Sequence, residues 1–143
     1  MRLRLFTQSC LLLLFFSAAT AWADSSLQFS DSWLRQAPPS AKYLAAYGEL
    51  KNTSAFDVAV VAMSSKLFEK VEIHHSRFQN GMMKMTRVEK LTLKPGESVV
   101  FKPGARHLMM MKPISPIRAG DIVPLIFTLN TGQDHHFDLP VKR

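Results

Sequence analysis

From residue 27 to residue 141 the chain alternates apolar and polar positions in short runs, and turns containing Pro or Gly separate the runs. A period of two marks half-buried strands, and no long stretch carries the 3.6-residue period of an amphipathic helix. The pattern predicts strands over residues 27–35, 43–51, 57–63, 69–76, 82–93, 98–101, 106–112, 123–130 and 135–141, with a short helical turn at 64–68. In residues 69–76, Val71 and Ile73 fall on one face, Glu72 and His74 on the other. Asn80-Gly81 is a strong two-residue hairpin signal. Lys94-Pro95-Gly96-Glu97 puts Pro and Gly in the central places of a type II turn, and Lys102-Pro103-Gly104 repeats that chemistry. About nine short strands joined this way predict an all-β antiparallel sandwich or barrel.

The first 23 residues break the alternation. Arg2 and Arg4, the apolar run from Leu11 to Phe16, and Ala21-Trp22-Ala23 read as an export signal cleaved before Asp24. The run is shorter than the roughly 20 residues that span a bilayer, so no stable membrane insertion is expected. Cys10 precedes the apolar run and follows the polar Thr7-Gln8-Ser9, which does not suit a lipid-attachment site. Residues 24–143 then form a single domain of 120 residues, whose net charge falls from +7 to +5. It has no Lys/Arg run interleaved with aromatics, so nucleic acid is not an expected partner. Loss of Cys10 also removes the only cysteine, which excludes zinc fingers, thiol redox chemistry and a blue-copper centre.

Six of the eight methionines (Met82, Met83, Met85, Met109, Met110, Met111) and three of the five histidines (His74, His75, His107) lie between residues 74 and 111. Imidazole and thioether form a soft to borderline ligand set that suits copper, Cu(I) above all. A two-residue loop at Asn80-Gly81 would set Ser76 opposite Met85 and His74 opposite Arg87. His74 and Met85 would then be diagonal neighbours on one face, with Cα atoms about 8 Å apart. His107 and Met109, two apart on a strand, share a face, while Leu108 and Met110 turn to the other and read as core. A two-residue loop at Pro95-Gly96 would set Met85 opposite Arg106, one place short of His107. A three-residue loop there, or a bulge at Pro103-Gly104, would restore the parity. Met82, Met83 and Met111 take no assigned role. Methionines in strands are usually core filling, so a metal-free structural β-module is the rival reading.

The spacing His74-x10-Met85-x21-His107-x-Met109 resembles the signature of the periplasmic copper chaperones called PCu(A)C. Asp31-Ser32-Trp33-Leu34-Arg35, Ala45-Ala46-Tyr47 and Val71-Glu72-Ile73-His74 are also similar to that family, as is Gly120-Asp121 followed by Val123-Pro124-Leu125. The resemblance implies a cupredoxin-like Greek-key β-barrel or sandwich. It implies Cu(I) held near the surface by His74, Met85, His107 and Met109. It further implies a monomeric periplasmic carrier that delivers copper to the copper-bearing subunit of cytochrome c oxidase, or to another periplasmic copper-assembly protein. The ion delivered would be Cu(I) or Cu(II). Copper buffering or resistance is the nearest rival role. Some relatives carry His- and Met-rich tails for Cu(II). Here only Asp134-His135-His136-Phe137-Asp138 stands near the end, and His135 and His136 are expected to straddle an edge strand rather than form a second site.

No G-x-S-x-G elbow or HExxH helix is present, so a hydrolase is not expected. Thioethers need no deprotonation. Copper affinity is therefore expected to fall only as the two imidazoles protonate, below about pH 6.5.

Overall fold

The computed structural model describes residues 26–143. The expected export signal, residues 1–23, lies outside them. Ten strands follow in order: β1 (Leu27–Arg35), β2 (Tyr43–Asn52), β3 (Val58–Ser64), β4 (Phe68–Gln79), β5 (Met82–Val88), β6 (Leu91–Leu93), β7 (Ser98–Phe101), β8 (Arg106–Pro113), β9 (Ile122–Leu129) and β10 (Asp134–Lys142). No described helix is long and apolar enough to cross a membrane. The expected helical turn at residues 64–68 is a plain turn leading directly into β4.

The strands run in the order β5-β4-β8-β2-β1-β10-β9-β3-β6, with β7 on the same edge of β2 as β8. Every pairing is antiparallel except β1 with β10, where Leu34 meets Val141 and Arg35 meets Lys142. That parallel seam joins two layers. The inward residues of both layers make one core, in which Leu34, Leu50, Leu93, Leu108, Met110, Leu125, Phe127 and Leu139 are fully buried. Phe29 packs into it edge-on to Phe101, Phe127 and Phe137, with ring centroids 5.5–6.1 Å away. Gly48 of β2 faces it with φ +148°, and a Cβ there would lie 2.7 Å from Phe29 Cε2.

The expected strand over residues 82–93 is two strands. β5 pairs with β4, and β6 crosses to pair with β3 in the other layer. Glu89 and Lys90 carry the chain across between them. The Pro95-Gly96 turn likewise joins β6, paired with β3, to β7, paired with β2, so it is an arch between layers and not a hairpin. Buried Asn52 anchors this corner: its amide donates to the carbonyls of Phe56 and Leu93, and its Oδ1 accepts from Ser54.

β10 joins β1 only at Val141 and Lys142; at His135 and His136 it pairs with β9 alone, so those two residues straddle a one-sided stretch of strand, as expected. His135 is buried, with Nε2 3.0 Å from Ser26 Oγ, while His136 is exposed on the opposite face. The two rings therefore diverge. Burial, ahead of the neighbouring charge of His136, pushes the His135 pKa below the ordinary value of 6.5. A histidine whose folded pKa is depressed binds its proton first in the unfolded chain. Stability is thus expected to fall as pH drops below about 6.5 and continue falling until the folded-state pKa is passed. His75 shifts in the same direction, by burial first and then by Arg77 and Arg106. Urea midpoints at pH 7.5 and 5 should differ less in His135→Gln than in the parent chain; an unchanged difference would contradict this assignment.

Candidate metal centre

The four ligand candidates sit on the outward face of the first layer, around β4. Asn80 (φ 52°) and Gly81 (φ 76°) both adopt left-handed backbone, as a type I′ turn requires, and they fix the β4–β5 register. Ser76 pairs with Met85 and His74 with Arg87, as the two-residue loop predicts. On its other side β4 pairs with β8, which sets His74 directly opposite His107 and Glu72 opposite Met109.

Opposite residues in a ladder share a face, so His74, Met85, His107 and Met109 all point the same way. The parity conflict between Met85 and His107 dissolves because their strands never pair: β4 lies between them. No three-residue loop is required at Pro95-Gly96. β7 and β8 follow one edge of β2 in the same direction, and residues 102–105 form the excursion between them. That excursion turns at Gly104 (φ 77°) and is tied by Lys102 N–H donating to Arg106 O.

The two imidazoles lie with centroids 5.9 Å apart and planes 63° apart. Their hydrogen bonds define which nitrogen each has free. Glu72, held ionised chiefly by its bond to Lys70 and then by that to His74, is an acceptor. His74 Nε2–H must therefore donate to Glu72 Oε2, at 2.7 Å. This leaves His74 Nδ1 with a lone pair, shut off from solvent and without a hydrogen-bond partner. His107 Nδ1–H donates to the Ala105 carbonyl at 3.2 Å, which leaves its Nε2 lone pair. A carboxylate or carbonyl fixing the far nitrogen of an imidazole is the usual support of a metal-binding histidine.

Glu72 was not among the expected site residues. It is 8% exposed and also takes Lys70 at 2.6 Å and Arg87 at 3.3 Å. The signal for it was an acid two places before His74 on a strand, which puts it on the same face. Met109 is half-buried beside Ala45 of β2, and Met85 is 48% exposed on the edge strand β5. The small Ser76 is the residue of β4 opposite Met85, toward His74 and His107. Leu108 and Met110 face the core, as expected. Met82 and Met83 are largely exposed near the hairpin tip.

Among the described residues no three His, Cys, Asp or Glu side chains are grouped so as to hold a metal ion. A metal on this face would draw on the thioethers. Two neutral imidazoles and two neutral thioethers form a set without charge, suited to a soft monovalent cation and poorly suited to hard divalent ions.

A family model described as "Putative lipoprotein LpqE-like" matches residues 27–141, nearly all of the described chain. The chain belongs to the LpqE-like family. This LpqE-like chain is 26% identical over 117 residues to the Leifsonia xyli protein named "Putative lipoprotein Lxx21020", covering 81% of this chain and 69% of the relative. It is 31% identical over 109 residues to the Rickettsia prowazekii protein RP573, covering 73% of this chain and 60% of that one. The chain thus spans under two thirds of the Rickettsia protein's length.

Among solved structures, the copper-bound PCuAC domain from PmoF2 matches with a TM-score of 0.67 at 16% identity, over 82% of this chain and 92% of that one. The Cu(I) form of DR1885 from Deinococcus radiodurans matches with a TM-score of 0.64 at 23% identity, over 87% and 85%. These likenesses show the fold: the LpqE-like chain has the cupredoxin-like β-architecture of PCuAC domains.

Proposed function

We propose that this protein is an exported copper carrier that binds Cu(I) through His74 Nδ1, His107 Nε2 and the sulfurs of Met85 and Met109. The observation that carries the reading is the cross-strand pair of imidazoles, with centroids 5.9 Å apart, each with one nitrogen hydrogen-bonded and the other left with its lone pair. The two thioethers share their face. Copper-bound relatives of the same fold support the choice of ion. The ligands are neutral, so each can be displaced singly by an incoming ligand, and Met85 at the exposed edge is the natural first to leave. Such a site moves an ion without turning over a substrate, and the reading is a carrier and not an enzyme.

The acceptor in this proposal is the copper-bearing subunit of cytochrome c oxidase or another periplasmic assembly protein. Residues 1–23 as an export signal, and a family and one relative named as putative lipoproteins, support an envelope location, the periplasm. Buffering of periplasmic copper would use the same ligands. A deletion strain with copper sensitivity but normal oxidase assembly would favour it.

The deciding experiment is a Cu(I) competition titration of Met85→Leu and Met109→Leu. These swaps nearly conserve volume and should cost under about 1.5 kcal/mol of stability. Each is expected to weaken Cu(I) binding at least about tenfold, while a metal-free β-module predicts no change at all. Glu72→Gln should weaken binding about 10- to 100-fold, since an amide orients His74 but withdraws the charge that raises its basicity. Unchanged affinity in Glu72→Gln would remove Glu72 from the site.

A further inference from the structure

The β4–β5 hairpin has a second face, and its chemistry is the reverse of the first. His75, Arg77 and Gln79 of β4 alternate with the ligand-bearing positions and point away from them, as do Lys84 and Thr86 of β5 and Arg106 of β8. Lower on β4 this inward side is covered by the core, where Val71 and Ile73 are buried. Beyond His75 it opens into a cavity of about 350 Å³ lined by these six side chains and Val88. That volume lies at the small end of the roughly 300–1,000 Å³ typical of ligand sites.

Three observations say what would fill it. Arg77 and Lys84 are direct cross-strand partners, a like-charge pairing that costs stability without a counter-ion between them. Among the described residues the ion pairs gather elsewhere, at Glu72 and at Glu69, and none reaches Arg77, Lys84 or Arg106. Arg106 lines the cavity, and its buried Nε has no hydrogen-bond partner, so none of its charge is neutralised from within the fold.

We propose that this cavity is a binding site for a small free oxyanion of the phosphate class. Its donors come from three adjacent strands and share one face. A tetrahedral anion offers several acceptors to such a cluster, and guanidinium groups match its edges with paired hydrogen bonds. The amide of Gln79 adds a neutral donor that helps discriminate an oxyanion from chloride. The site uses none of the four proposed copper ligands, so it stands or falls separately from the carrier reading.

The test is a ¹H–¹⁵N NMR titration of the metal-free protein with inorganic phosphate at constant ionic strength. Saturable shifts are expected at residues 75, 77, 84, 86 and 106, with sulfate competing and chloride not. Arg77→Gln and Lys84→Gln should each raise the phosphate dissociation constant at least about tenfold, the worth of one charge-assisted hydrogen bond. Arg106→Gln should do the same, and the exposed Lys84 gives a reading even if the part-buried Arg106 disturbs the fold. Cu(I) affinity should be unchanged in Lys84→Gln. Shifts that grow linearly without saturation, that chloride reproduces, or that the variants leave untouched would overturn the proposal.

Discussion

His107→Ala is expected to lower Cu(I) affinity by more than about 100-fold, beyond the 10- to 100-fold typical when only a supporting group of a metal site is changed. His107 is 5% exposed, is pinned through Nδ1 to the Ala105 carbonyl, and lies directly across from His74. Its free Nε2 has a fixed direction before any ion arrives, and that pre-organisation is what the substitution removes. Deleting a buried ring also lowers stability, so the urea midpoint of the metal-free variant is read alongside. His74→Ala supplies the control, since His74 is less buried and its loss should reach the same affinity range at a smaller cost in stability. If either variant keeps the parental affinity, that imidazole is not a ligand.

Gly48→Ala is expected to be the most damaging conservative change in the fold, at about 3 kcal/mol or more. The added Cβ would meet Phe29 Cε2 at 2.7 Å, Phe29 Cζ at 2.9 Å and the Ser30 carbonyl at 3.0 Å, from a backbone with φ +148°. Overpacking of this kind costs roughly 1–3 kcal/mol, and a backbone conformation that is nearly glycine-only adds about 1–3 kcal/mol for a residue with a side chain. Phe29 cannot swing aside, because Phe101, Phe127 and Phe137 box its ring on three sides. Adding Phe29→Leu should recover part of the loss, giving a double-mutant coupling of opposite sign to the single costs. Additive losses would mean that the ring contact is not the cause.

Much of this arrangement was legible in the residues because local rules fix it. Asn80-Gly81 dictated the β4–β5 register, and that register alone made His74 and Met85 diagonal neighbours. The alternation in β8 separated His107 and Met109 from Leu108 and Met110, and the core took the second pair. Pairings distant in sequence were not legible. Nothing near residue 89 announces that the chain changes layers, because Val88 and Leu91 are both apolar and only their distant partners differ. The insertion of β4 between β5 and β8 joins residues more than twenty apart, and the alternation pattern is silent on such neighbours. The same gap hid the parallel seam at Val141 and Lys142, whose partner strand β1 lies at the other end of the described chain. Glu72 escaped for a different reason. A strand acid facing outward normally reads as solvated, and only the fold shows it enclosed by Lys70, His74 and Arg87.

X-ray absorption at the copper edge of the Cu(I)-loaded protein counts the ligand atoms themselves. Two nitrogen and two sulfur neighbours are expected around one copper, with one sulfur lost in Met85→Leu and one in Met109→Leu. A shell of nitrogen or oxygen alone, or a sulfur count that both substitutions leave unchanged, would contradict that ligand set.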